Sequence, residues 1–288
     1  TAFSLTHSAY EWLKSKLKQI VKAFKEPSDA MRCFYILTIV AICCFAYTWL
    51  NNGFTVPLSG DYSLQEMTFL FNGYDDWHYF FRTGVFPAWD RSVFLGMDNV
   101  GGNSFYYLFD PFFLILLPFP RDWLLVLQGL EFVPKMVLAG MFFYWFLGEF
   151  RISNLNRTIG ALAFAFSGYS MCYIWFHFIS SVAFLPLCFL GIERIIKERD
   201  PRHFLVGIFL VAMTSYFFFV VYMFGLFFYA MFRYFQTINK RHYDENMSVL
   251  GTGILSFIVA VMLGMFVLLP GMVTATSMPR VTESSYLE

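Results

Sequence analysis

What most constrains this chain is the recurrence of apolar runs long enough to cross a bilayer. Residues 31–50 hold one charge, Arg32, and comparable runs recur at about 123–147, 159–196, 203–235 and 249–269. Crossing the hydrocarbon takes roughly 20 such residues in a helix, because lipid offers backbone groups no partner outside the helix itself. The expected fold class is therefore an all-α polytopic membrane protein with about seven transmembrane helices. Charged residues make up 14% of the chain and hydrophobic ones 58%, whereas a soluble domain carries about a quarter charged residues. A net charge of +0 leaves no excess of one sign with which to bind nucleic acid.

The seven spans are read as 31–50, 123–147, a hairpin over 159–196 turning near His177 to Ser181, a pair over 203–235 bending near Thr214 to Tyr216, and 249–269. Between the first two, Phe105 to Phe119 is apolar but interrupted by Asp110-Pro111 and closed by Pro118 and Pro120. Proline cannot donate to the helix ladder, so this piece is expected to lie in the interface or re-enter. Cytoplasmic loops retain Lys and Arg. That rule puts Lys14, Lys16, Lys18, Lys22, Lys25 and Arg32 inside, together with Arg151, Arg157, Arg194, Lys197, Arg199, Arg202, Arg233, Lys240 and Arg241. The N-terminus is then cytoplasmic and the long 51–121 loop faces outward.

The chain divides into a cytoplasmic amphipathic segment (1–30), a transmembrane domain (31–270) and an extracytoplasmic tail (271–288). In the first, Tyr10, Leu13, Leu17, Ile20, Val21 and Phe24 recur at helical spacing beside lysines. Such a stripe suits a helix on an anionic leaflet, and serves equally as an orientation signal. Cys33, Cys43, Cys44, Cys172 and Cys188 lie in apolar runs without metal-ligand or disulfide spacing and read as small buried hydrophobes. Walker, Rossmann, HExxH and GxSxG patterns are absent, so nucleotide hydrolysis, nicotinamide chemistry and protease or serine-hydrolase activity have no support.

Function is expected in the outward loop, since a loop of this length is more often functional than not. It begins Gly60-Asp61-Tyr62-Ser63-Leu64-Gln65 and continues through a helical stretch, roughly Leu64 to Thr83, that carries Asp75-Asp76-Trp77-His78. Trp89-Asp90 and the glycine-rich Gly96 to Asn103 follow. Aromatics that stack on a sugar ring, beside amides and carboxylates that take its hydroxyls, suit carbohydrate recognition at a membrane surface.

These residues resemble a known family. Asp61 with Gln65, Trp89 followed by Leu95-Gly96-Met97-Asp98-Asn99, and Tyr106-Tyr107 with Asp110-Pro111-Phe112 come first. Phe166-Ser167-Gly168-Tyr169 with His177, Leu185-Pro186-Leu187 and Gly191-Ile192-Glu193 follow in order. Together they look like the bacterial YfhO-type membrane proteins, by motif over Gly60 to Glu193 and by hydropathy elsewhere. That family is placed in the GT-C superfamily of multispanning glycosyltransferases, which take a sugar from a polyprenyl-phosphate carrier outside the membrane. Its members are usually longer, which implies that this chain is the N-terminal part of a longer one.

The resemblance implies a lipid-linked sugar donor, a cell-wall polymer or surface protein as acceptor, and a multi-pass location in the bacterial cell membrane with the active face extracytoplasmic. It aligns Asp61 with the acidic residue that GT-C enzymes place in the first outer loop. A hydroxyl acceptor loses its proton as it attacks the anomeric carbon, so Asp61 is the candidate base of an inverting transfer. A divalent metal ion is a possible cofactor, although Tyr62 follows Asp61 where some relatives have a second acid. Candidate substrate-binding residues are Gln65, Trp89, Asn99, Tyr107, His177, Lys135 and Arg280. Of these, Arg280 would meet the leaving phosphate, with Arg82, Arg91 and Arg121 behind it.

Lys135 stands inside the second span, one helical turn after Glu131, and an ionisable residue there usually faces a bundle or cavity. The two can neutralise each other as an i, i+4 pair, or Lys135 can hold carrier phosphate. A transporter or lipid-linked-sugar flippase needs ionisable residues inside the bundle, and a non-catalytic assembly protein needs none. Both stand as alternatives to transfer.

Overall fold

The computed structural model describes residues 28–56, 60, 62–91, 96–172, 176–238 and 242–277. Asp61, Arg280, the amphipathic stripe before residue 28 and most of the 271–288 tail lie outside the described residues. Five described helices are long and apolar enough to cross a membrane: Asp29–Asn51, Arg121–Gly148, His177–Glu198, Tyr216–Ile238 and Tyr243–Ser277.

Helix α1 (Asp29–Asn51) starts at Ser28, whose hydroxyl accepts the Met31 amide at 3.3 Å and so satisfies one orphan donor of the first turn. After it, a π-turn (Tyr62–Glu66) runs directly into α2 (Met67–Thr83). A two-residue hairpin follows, β1 (Trp89–Asp90) against β2 (Met97–Asp98). Two short helices complete the segment, α3 (Asn99–Asn103) and α4 (Pro111–Leu116). With six residues, α4 is too short to cross, as its flanking prolines led us to expect.

The second span is two helices, α5 (Leu124–Leu130) and α6 (Phe132–Gly148), interrupted at Glu131. Pro134 explains the break, because it has no amide hydrogen to return to the Leu130 carbonyl. The next leg is likewise divided into α7 (Asn154–Ala165) and α8 (Gly168–Cys172), and α9 (Phe176–Glu198) follows. The expected turn at His177 to Ser181 is thus corrected: those residues form the first turns of α9. Helix α10 (Arg202–Thr214) is 13 residues long. Ser215 interrupts the helix with extended backbone, φ −170° and ψ 127°, at the place where a bend was expected. The chain closes with α11 (Tyr216–Ile238) and α12 (Tyr243–Ser277).

The centre is α9, which packs on α6 and α10. Small residues set the α9–α10 approach: a Cβ on Gly191 would come within 2.6 Å of Phe204 Cβ, and one on Gly207 within 2.9 Å of Cys188 Sγ. Close backbone approach at small residues is how helices gain packing contact where lipid offers no hydrophobic drive. A second, smaller core of Leu70, Tyr74, Tyr107, Phe113, Leu116 and Leu124 belongs to the 62–124 segment and fixes it onto one end of the bundle, here termed the loop end.

Arg194, Lys197 and Arg233 gather around Glu149 and Glu193 at the opposite end. Helix α11 is the least enclosed of the spans; Phe224, Phe228 and Phe232, four residues apart, are each at least 60% exposed. It is held to α9 by Arg233, whose Nε and Nη2 donate to the two oxygens of buried Glu193 at 2.5 and 2.8 Å, and by Tyr229, whose hydroxyl donates to Glu193 at 2.7 Å.

Candidate functional site

The loop end encloses a polar network in an apolar bundle. The π-turn aims Glu66 inward, where it has no solvent exposure. One of its oxygens lies 3.0 Å from His177 Nδ1 in the first turn of α9. The other accepts the Tyr107 hydroxyl at 2.5 Å. That hydroxyl in turn accepts Gln128 Nε2 from α5, also at 2.5 Å. Each oxygen of Glu66 therefore has a partner, as a buried carboxylate requires. The contact between Glu66 and Nδ1 fixes the imidazole in orientation. Aromatic rings close the space around it: Phe105, Tyr106, Tyr107 and Phe178 all lie within 6.0 Å, centroid to centroid, of His177.

Deeper in the bundle lies a second group. Lys135 is fully buried and donates from Nζ to Glu131 Oε1 at 2.5 Å, so the i, i+4 pairing expected from the sequence is formed. Asp110, also fully buried, caps α4 by accepting the Phe112 amide at 2.9 Å. Burial pushes its carboxyl above the ordinary range, with Lys135 and Ser180 opposing. Buried ionisable groups are costly unless paired, and this end of the molecule collects Glu66, Asp110, Glu131, Lys135 and His177.

Towards solvent the network meets Tyr106 and Gln65. Tyr106 stacks on Phe69 at 3.8 Å, and its hydroxyl points to Gln65 Oε1 across a long 3.5 Å contact. Burial, and then the Glu66 charge, raise the Tyr106 phenol above its usual value. Gln65 itself is exposed. The rim is thus an aromatic and amide surface above a buried carboxylate.

Asn99 belongs to a different cluster. Its side-chain amide donates to Asp76 Oδ2 at 2.8 Å and to the Pro87 carbonyl at 2.9 Å, and Asn103 bonds back to it. Burial drives the Asp76 carboxyl up to about 6, against the Asn99 hydrogen bond and helped by Asp90 and Asp75. Asp98 caps α3 through the Gly101 amide at 2.7 Å and accepts the Thr274 hydroxyl from α12 at 3.1 Å. There the glycine is required, because a Cβ on Gly101 would lie 2.8 Å from the Pro270 carbonyl oxygen. The glycine-rich stretch is therefore a docking contact between the loop and the last span.

Of the sequence candidates, Tyr107 and His177 meet in the Glu66 network, Lys135 lies in the neighbouring group and Gln65 stands at the rim. Trp89 is 57% exposed on the hairpin, against Gly96, and Asn99 serves the loop's internal structure. Arg121, a reserve cation, is engaged by Asp75 at 2.9 and 3.0 Å and lies over the Phe71 ring. Sequence reading passed over Glu66 and Gln128. An amide inside the leucine-rich start of the second span was a signal for Gln128; Glu66 was overshadowed by Asp61 and Gln65 beside it. Among the described residues no three His, Cys, Asp or Glu side chains come together to hold a metal ion.

A family profile described as "Bacterial membrane protein YfhO" matches residues 33–286. No curated protein matches the chain. No solved structure matches it.

Proposed function

Because the chain belongs to the YfhO family of bacterial membrane proteins, we propose that it is a membrane glycosyltransferase of the GT-C type. It moves a sugar from a polyprenyl-phosphate carrier to a cell-wall polymer or surface protein on the extracytoplasmic face. In this reading the loop end faces outward, and α7–α8 and α10 complete seven spans with the five longer helices. The observation that carries the reading is the Glu66–His177–Tyr107–Gln128 network, a buried polar centre beneath an aromatic and amide rim. Stacking faces with nearby hydrogen-bonding groups suit a sugar.

Asp61 is the proposed base. In sequence it immediately precedes the π-turn that ends at Glu66. The acceptor hydroxyl gives its proton to Asp61 as its oxygen attacks the anomeric carbon, and the bond to the carrier phosphate breaks. Arg280 is proposed to stabilise the departing phosphate. Gln65 and Trp89 are the proposed sugar contacts.

The test is reconstitution of the protein in lipid nanodiscs with a panel of polyprenyl-phosphate sugars and envelope acceptors. Transfer of one sugar supports the reading, and loss of no donor from any pairing refutes it. A second reading, a proton-coupled flippase for the same lipid, is favoured by the five ionisable groups buried at the loop end. It predicts movement of the intact lipid-linked sugar between leaflets, with the sugar–phosphate bond unbroken.

A further inference from the structure

The rim above Glu66 is built from two parts of the loop and continued by α11. The π-turn sends consecutive residues to opposite sides: Glu66 is buried and Gln65 is exposed. A π-turn at the mouth of a helix is frequent at functional sites. Tyr106 comes to the same place from further along the loop, and its surroundings hold it still. Its ring stacks on Phe69 at 3.8 Å with 11° between the planes, meets Phe105 edge-on at 5.0 Å and lies 5.1 Å from His177. Its backbone amide donates to the Asn103 carbonyl at 3.0 Å. Phe105 carries the surface on to the first turn of α11, packing on Tyr216 at 5.9 Å and on half-exposed Phe217 at 6.0 Å.

Phenol and amide face each other without closing. The Tyr106 hydroxyl stands 3.5 Å from Gln65 Oε1, whereas an O–H···O bond runs at about 2.5–3.0 Å. A separation of this length between two accessible polar groups is where a third group bridges. A hydroxyl placed beside the pair suits both, since it accepts from the phenol and donates to the amide oxygen. The aromatic faces next to it give a pyranose ring its apolar contact.

Charge restricts which pyranose fits. Burial, and then the Glu66 charge, raise the Tyr106 phenol, so the field of the buried carboxylate reaches the rim. Arg121 is held by Asp75 and lies over Phe71, and Lys135 is held by Glu131. A carboxylate on the sugar would meet like charge away from bulk water, where such repulsion is strongest.

We propose that Tyr106 and Gln65 select the sugar: an uncharged pyranose, one hydroxyl of which bonds both the Tyr106 phenol and the Gln65 amide, with Phe105 and Phe217 beside the ring. Tyr106 and the first turn of α11 thereby join the sugar contacts. The proposal rests on the lipid-linked sugar of the reading above and narrows its class; it adds no covalent step.

Binding to the protein in nanodiscs tests it, with polyprenyl-phosphate glucose, galactose and mannose, the matching uronates and bare polyprenyl phosphate as probes. At least one hexose is expected to bind more tightly than its uronate and than the bare carrier. A neutral hydrogen bond is worth about three- to tenfold in affinity. Y106F and Q65A are each expected to lower the hexose preference by that factor while binding the bare carrier like wild type. Y106F keeps the stacked ring, and Y79F, which removes an exposed phenol elsewhere on α2, is expected to match wild type. A preference for the uronate, no preference in wild type, or a hexose preference undiminished in either Y106F or Q65A overturns the proposal. Transfer is read in the same samples. If wild type transfers sugar while a variant keeps the full preference, the site fails and the transferase reading stands. If the preference falls as expected and no donor is consumed, the transferase reading fails and the site stands.

Discussion

Glu66 Oε1 and His177 Nδ1 lie 3.0 Å apart although 111 residues separate them in sequence, and neither side chain is reached by solvent. This contact joins the π-turn of the loop to the most enclosed helix of the bundle. It positions the loop end, since the same carboxylate also takes the Tyr107 hydroxyl.

Replacing Glu66 by alanine leaves Tyr107 and His177 without their acceptor in a dry interior. Leaving a buried polar group unsatisfied costs about 1–3 kcal/mol, and two are left here, so E66A is expected to melt well below wild type in nanodiscs. E66Q keeps an acceptor oxygen and is expected to recover part of the loss. Equal melting of all three proteins would show that the network adds nothing to stability.

Asp76 sets a pH dependence. Its carboxyl is raised by burial to about 6, above the unfolded value of about 3.9, so the folded loop binds the proton more tightly than the unfolded chain. The contribution is complete below about pH 4 and is lost as pH rises through about 6. Proteolysis of the 84–103 region is expected to quicken over that interval in wild type. In D76N, which has no titrating group there, the rate is expected to change less; identical pH profiles would refute this.

Gly101 tests the contact between loop and last span. A methyl group there meets the Pro270 carbonyl and the side chains of Asp98 and Thr274, and overpacking of this kind costs about 1–3 kcal/mol. G101A is expected to expose the hairpin to protease while the transmembrane helices keep their circular dichroism. Unchanged protection would mean that the loop does not rest on α12.

Two arginines separate exposed from buried pairing. Arg121 and Asp75 are each about half exposed, and such a pair is worth at most about 1 kcal/mol. Glu193, which Arg233 holds, is not exposed at all, so loss of that arginine takes two hydrogen bonds from a buried carboxylate and leaves it Lys197 at 3.4 Å and the Tyr229 hydroxyl, at a cost of up to about 3–5 kcal/mol. R233A is therefore expected to melt lower than R121A, and the reverse order would contradict the assignment of Glu193 as the anchor of α11.

The membrane class, the bend at Ser215 and the Glu131–Lys135 pair were legible in the sequence because each follows from a local rule: run length, helix interruption, i, i+4 spacing. The break at Glu131 was also local, in Pro134, yet hydropathy averaged over it. The start of α9 was not legible, since Phe176 to Ser181 is apolar enough to turn or to continue. Glu66 meeting Tyr107, Gln128 and His177 depends on how the 62–124 segment folds onto the bundle, which no periodicity encodes. Asn99 carried the right chemistry for a sugar site, and its bond to Asp76 within the loop is another long-range contact that no periodicity encodes.

The most direct measurement compares wild type and D61N in the nanodisc assay with a polyprenyl-phosphate sugar that the wild type accepts. Loss of a general base costs roughly 100- to 10,000-fold in rate, so D61N is predicted to fall by at least about 100-fold while binding the lipid donor and melting like wild type. Transfer by D61N at the wild-type rate would contradict the account.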